Sequence, residues 1–369
     1  MSDGAPRTDD LRVSDLQPLI SPAVLLAEVP LSPKAAGVVA RARAEIEAVL
    51  DGRSDRLLAV VGPCSIHDPD AAREYAGLLR EEARRLEEDL LLVMRVYFEK
   101  PRTRVGWKGL ISDPDIDGSF RVNRGLRIAR ELLADLAELG LPAGSEFLDT
   151  ISPQFFADLI SWGAIGARTV ESQVHRELAS GLSMPVGFKN STSGHLAPAI
   201  HGVGAARHPH RFLSVTKEGN SAIVSTRGNP SCHLILRGAD GGPNHDEASV
   251  QRAAAALEEA GLARRLMVDC SHGNSRKDHA RQPAVAAEVA RQIAEGSEDV
   301  AGVMLESNLL EGRQAPTDVP RVRGMSITDA CMSWQRTVPV LDELALAVKR
   351  RRAAAGPPRP GSALSSDRT

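Results

Sequence analysis

The feature that most constrains this chain is a beat that repeats from residue 57 to residue 307. Short aliphatic runs alternate with longer stretches of helical period. The runs are LLAVVG (57–62), LLLVMRVYF (90–98), a segment around Ser145–Leu148, AIGART (164–169), PVGFK (185–189), HLILRG (233–238), LMVDCS (266–271) and VAGVMLES (300–307). Between them, AAREYAGLLREEARRLEE, GLRIARELLADLAELG and SVQRAAAALEEAGLARR repeat apolar residues three and four apart and close on Gly or turn residues. Near-continuous apolar strands separated by helices predict a parallel sheet covered on both faces. Eight such units in about 300 residues predict an α/β fold closed into a (β/α)8 TIM barrel rather than an open sheet.

The flanks read differently. Residues 1–50 form an N-terminal arm and helix: the arm is polar and Pro-punctuated to residue 35, and AAGVVARARAEIEAVL (35–50) has helical spacing. The barrel then occupies 51–352. Inside it FLSVTKEGNSAIVST alternates around a Glu-Gly-Asn turn, which predicts a β-hairpin at about 211–227, ahead of the sixth strand. Residues 353–369 have the composition of a disordered tail.

Charge and cysteine usage narrow the function. The chain carries 45 Lys+Arg against 48 Asp+Glu, a net charge of -3. That balance argues against nucleic acid and a membrane surface as partners. No apolar run approaches the ~20 residues of a spanning helix, and the first residues lack the basic-then-apolar order of a secretory signal. Cys64, Cys232, Cys270 and Cys331 form no CxxC pair, so they read as reduced thiols. The expectation is a soluble, cytoplasmic enzyme.

In a barrel of parallel strands the chemistry sits at the C-terminal mouth, on residues at or just past each strand. Those positions hold Cys64, Arg95, Glu146, Arg168, Lys189, Arg237, His272 and Glu306, one for each strand. One such Arg or Lys is ordinarily a loop salt bridge; eight polar or ionisable residues at successive strand ends point to a polar site. Arg95, Lys100, Arg102, Arg168, Lys189 and Arg237 are cations, suited to several phosphate or carboxylate groups. Cys64, His272, Glu306 and the later Asp329 offer a thiolate, an imidazole and two carboxylates, a donor set for a divalent transition metal. Each alone has a plainer reading: Cys64 as a small buried apolar residue, His272 as a packed histidine, Asp329 as a helix cap. His67, Asp68 and His175 read as capping or packing residues. No GxxxxGK[ST] loop favours a nucleotide.

At these residues the sequence resembles the class I 3-deoxy-D-arabino-heptulosonate 7-phosphate (DAHP) synthases of the type regulated by aromatic amino acids. The segments that carry the resemblance are GPCSIHDP (62–69), MRVYFEKPRTRVGWKGLISDPD (94–115), WGAIGARTVESQVHRELASGL (162–182), PVGFKN (185–190), LILRG (234–238), MVDCSHGNS (267–275), GVMLESN (302–308) and SITDAC (326–331). It extends from about residue 9 to residue 349. The resemblance implies a metal-dependent condensation of phosphoenolpyruvate with erythrose 4-phosphate, the first step of the shikimate pathway. It implies Cys64, His272, Glu306 and Asp329 as ligands of a divalent metal (Mn, Fe, Co or Zn). Lys100, Glu146, His272 and Cys64 would lie at the reacting atoms. Arg95, Lys100 and Lys189 would hold the enolpyruvate carboxylate region. Arg168, Arg237 and the backbone around Ala167 would hold its phosphate, and Pro101, Arg102 and Thr103 would receive erythrose 4-phosphate.

The resemblance further implies a homodimer or homotetramer, and a site for an inhibitory aromatic amino acid near Asp9, Asp10, Pro153, Gln154, Ser183, Phe212 and Ser214. Where the family reads Gly-Thr-Asp-Gly after GFKN, this chain has Ser191-Thr192-Ser193-Gly194. Two rivals are a related barrel enzyme that joins phosphoenolpyruvate to another sugar phosphate, and a non-catalytic regulatory paralogue. The KPRT motif and the hairpin argue against the first, the intact ligand and cation set against the second.

Overall fold

A computed structural model describes residues 8–102 and 105–355. In chain order its elements are α1 (Pro22–Glu28), α2 (Pro33–Leu50), β1 (Leu57–Gly62), α3 (Pro69–Arg85), β2 (Leu90–Arg95), α4 (Val122–Leu139), β3 (Ala143–Glu146) and α5 (Pro153–Phe156). They continue through β4 (Trp162–Ile165), α6 (Gln173–Ala179), β5 (Val186–Lys189), α7 (Ala197–Ala206), β6 (Arg211–Val215) and β7 (Ser221–Ser225). The last are β8 (Cys232–Leu236), α8 (Glu247–Glu259), β9 (Leu266–Asp269), α9 (Gln282–Ala294), β10 (Val300–Asn308), β11 (Met332–Ser333) and α10 (Trp334–Ala355).

Strands β1, β2, β3, β4, β5, β8, β9 and β10 pair in that order, all parallel, and β10 returns to β1. The sheet is therefore a closed eight-stranded barrel with no open edge, the (β/α)8 architecture that the alternating runs predict. The strands are short and buried along their whole length, as parallel strands covered on both faces must be. Alternation along β1 divides the core. Leu57, Ala59 and Val61 pack outward with the helices, while Leu58 and Val60 face the barrel axis with Leu91, Val93, Trp162, Ile235 and Met267. Ile46, Val49 and Leu50 of α2 join the inner cluster.

Local chemistry sets the helix ends. Ser32 and Asp68 cap α2 and α3, each followed by a proline that loses no hydrogen bond there. Gly140 ends α4 in the left-handed region (φ 84°), where a Cβ is disfavoured. Within the arm, the chain packs from Ile20 onward: its N–H donates to Asn123, and Ala23 N–H donates to Lys217 O. The hairpin is the antiparallel pair β6–β7, outside the barrel.

Three details differ from the sequence reading. The fourth strand is Trp162–Ile165, so Arg168 lies three residues beyond it rather than at its end. The third strand ends on Glu146, short of the segment to Leu148, because the chain turns at Asp149. Helix α10 continues through 353–355, residues assigned above to the tail; 356–369 lie outside the described residues. No single described helix is long and apolar enough to cross a membrane.

Candidate active site

Register places the functional side chains together. Gly62 of β1 pairs with Glu306 of β10, so Cys64, two residues on, emerges beside Glu306. The ligand atoms of Cys64, Glu306 and Asp329 lie within 4.8 Å of one another. His272 stands at the edge of this group, with Nε2 3.8 Å from Glu306 Oε1. Asp329 is no helix cap; it precedes β11, which pairs with Ser307 and Asn308 directly after Glu306. Pairing of β11 with β10 is what carries Asp329 to the mouth.

A cavity of about 370 Å³ opens above these groups. Arg95, Lys100, Arg102, Arg168, Lys189 and Arg237 all line it, with Pro101, Glu146, Ala167, His272, Glu306 and Asp329. Cys64 is fully buried beneath it. Thr103 lies outside the described residues.

The cations differ in their freedom. Arg95 is buried and held: Nε donates to Pro63 O at 3.0 Å, Nη2 donates to Cys64 O at 3.1 Å, and the guanidinium lies 3.7 Å over the Tyr97 ring. Lys100 Nζ donates to Cys64 O and lies 3.1 Å from Cys64 Sγ. Burial pushes the Cys64 thiol up, the Glu306 charge adds to this, and Lys100 opposes it. Burial would also push the Asp329 carboxyl up, but Lys100 and His272 outweigh it and hold it below its ordinary value.

Two acidic positions organise the mouth. Asp269, fully buried at the end of β9, pairs with Lys189 Nζ at 2.8 Å and His272 Nδ1 at 2.9 Å. Burial alone would raise its carboxyl, but those two neighbours hold it well below the carboxylate range. His272 Nδ1 also lies 2.7 Å from Ser271 Oγ, whose hydroxyl donates to Asp269 Oδ1, and Nε2 faces Glu306. His272 is in the left-handed region (φ 52°), a conformation that costs energy and is fixed by these partners. Glu146 reaches the cavity because position 166 is glycine: a Cβ there would lie 2.1 Å from Glu146 Oε1.

The donors fit a divalent transition metal. Glu306 Oε1 is 2.8 Å from Arg95 Nη2, yet this buried oxygen has no hydrogen-bond partner among the described residues. An unpartnered carboxylate oxygen beside a thiol, an imidazole and a second carboxylate is what a cation would satisfy.

The sequence outside the mouth agrees. The DAHP synthetase I family matches residues 29–342. The chain belongs to this family. It is 55% identical over 347 residues to the Phe-sensitive phospho-2-dehydro-3-deoxyheptonate aldolase of Escherichia coli (strain K12), covering 94% of this chain and 99% of that one. It is 52% identical over 349 residues to the tyrosine-inhibited aldolase of Schizosaccharomyces pombe, covering 93% and 94%. A solved structure of phospho-2-dehydro-3-deoxyheptonate aldolase from Francisella tularensis SCHU S4 superposes with a TM-score of 0.91 at 51% identity, covering 92% of this chain and 99% of that one. This DAHP synthase condenses phosphoenolpyruvate with erythrose 4-phosphate, the first step of the shikimate pathway.

A second cavity of the synthase, about 470 Å³, lies away from the mouth between α2, α5, α6 and the hairpin. Pro153, Gln154, Ser183, Phe212 and Ser214 line it together; Asp9 and Asp10 are exposed on the arm and do not. His175 bridges Ser172 Oγ and Leu148 O, and Asp68 caps α3, both packing roles. Asp269, Tyr97 and Gln282 belong to the site, and the strand-end reading missed them. The Asp in MVDCSHGNS was the one available signal for Asp269.

Proposed function

We propose that the synthase is metal-dependent, and that its mouth holds both substrates over an ion bound by Cys64, His272, Glu306 and Asp329. The observation that carries this reading is a cavity lined by six cations with His272, Glu306 and Asp329, under which Cys64 lies with its ligand atom within 4.8 Å of those of Glu306 and Asp329. Phosphoenolpyruvate brings a carboxylate and a phosphate, erythrose 4-phosphate a second phosphate. Arg95, Lys100 and Lys189 face the enolpyruvate carboxylate. Arg168, Arg237 and the backbone at Ala167 take its phosphate, and Pro101, Arg102 and Thr103 take the far phosphate. Two anions that repel in water are thereby brought to reacting distance. When bound, a divalent ion supplies Lewis acidity to the aldehyde oxygen.

Carbon 3 of phosphoenolpyruvate forms the new bond to the aldehyde carbon, whose oxygen takes a proton. Water adds at carbon 2, and phosphate leaves from there as the ketone forms. Lys100 and Glu146 stand at the cavity wall to move those protons.

The second cavity takes an aromatic amino acid that inhibits the enzyme, a reading supported by its half-apolar lining and the Phe- and Tyr-sensitive relatives. Exposed Leu213 and Ile223 on the hairpin support a homodimer or homotetramer. Four buried thiols suit the reducing cytoplasm. A chelator abolishes activity, added Mn²⁺ restores it, and Cys64→Ala shows little in either state. Full activity after both treatments contradicts the metal assignment.

A further inference from the structure

Strand β9 ends opposite Met304 of β10, and the chain's last ladder bond on that side runs from Cys270 N–H to Met304 O at 2.9 Å. Backbone groups on a strand point to alternate sides with period two. The N–H and C=O of Glu306 therefore face the same side as those of Met304, where β9 has already turned away into Ser271 and His272. Two buried backbone groups left without partners would be destabilising.

Gln282, the first residue of α9 and 0% exposed, occupies that position. Its Nε2 donates to Glu306 O at 2.9 Å, and its Oε1 accepts from Glu306 N–H at 2.8 Å. The carboxamide thus imitates the peptide group of the missing strand and extends the ladder past its end. Gln282 also lines the mouth cavity. Glu306 Oε1 faces Arg95 Nη2 at 2.8 Å without a hydrogen bond among the described residues, so the backbone held by Gln282 is a second determinant of where this carboxylate points.

We propose that Gln282 is a positioning residue of the metal site: it fixes the Glu306 backbone so that the carboxylate converges with Cys64 and Asp329, and this sets the affinity for the ion. The inference rests on the reading of Glu306 as a metal ligand. Outer partners of metal ligands typically account for about 10–100-fold in affinity.

The test titrates Co²⁺ into the metal-stripped full-length protein and follows the thiolate-to-cobalt charge-transfer absorption. Wild type is compared with Gln282→Met, which keeps the length without the amide, with Gln282→Asn, which keeps the amide one methylene short, and with Glu306→Gln. Both Gln282 variants should bind Co²⁺ at least about 10-fold more weakly, with the metal-free proteins folded by circular dichroism. If Gln282→Met does not fold, Gln282→Asn alone decides. Weakened binding by Glu306→Gln with unchanged binding by the Gln282 variants overturns the role of Gln282 and leaves the metal site standing. Unchanged binding by Glu306→Gln overturns the metal assignment, and this inference with it.

Discussion

Glu99 is only partly exposed, directly before Lys100, and its side chain accepts from Ser152 Oγ at 3.4 Å. Burial, then the nearby Asp149 charge, pushes its carboxyl from 4.5 up to about 8. Between those values the folded chain holds a proton that the unfolded chain has released. Stability therefore falls as pH rises from about 4.5 to about 8, and the loss is complete above that. Glu99→Gln, neutral throughout, should be more stable than wild type by about 1–3 kcal/mol at pH 8.5 and nearly equal to it at pH 4.5. Urea unfolding at the two pH values measures this; an equal difference at both contradicts it. At this scale the sequence was most informative where a charge ends an apolar strand, as at Arg95 and Lys189. It was silent where a role depends on a partner far along the chain. Asp269 looks like one more residue of its strand until Lys189, 80 residues earlier, is placed against it. Gln282 looks like any polar helix start until β9 is seen to stop short of Glu306.

Among the elements, the hairpin does two things. Its inward residues Phe212, Ser214 and Val224 wall the second cavity, while Leu213 and Ile223 are 77% and 72% exposed on the other face. Phe212→Ala removes an apolar wall, so inhibition by Phe or Tyr should weaken about 10-fold or more, with the uninhibited rate kept. Inhibition assays decide it, and an unaltered inhibition curve counts against the cavity as the effector site. Leu213→Lys combined with Ile223→Lys should lower the mass in light scattering toward that of one chain; an unchanged mass places the subunit contact elsewhere. The hairpin was legible because strict alternation around a Gly-containing turn has few other folds. The limit of β3 was not, since it ends just before a loop in which Ile151 and Ser152 N–H donate to Asp149 Oδ1.

For the whole molecule, the net charge of -3 conceals the arrangement that matters. Closure of eight parallel strands gathers residues from Cys64 to Asp329 at one end, an outcome no local spacing contains. The fold class was readable because eight buried strands alternating with helices leave little choice but a barrel. The central claim is that this mouth joins two anionic substrates of defined size. The most direct measurement incubates the purified protein with Mn²⁺, phosphoenolpyruvate and either erythrose 4-phosphate or arabinose 5-phosphate, and quantifies released phosphate and the keto sugar acid. The account predicts stoichiometric phosphate and seven-carbon product with erythrose 4-phosphate, and none with the pentose. Turnover with arabinose 5-phosphate and none with erythrose 4-phosphate would contradict it.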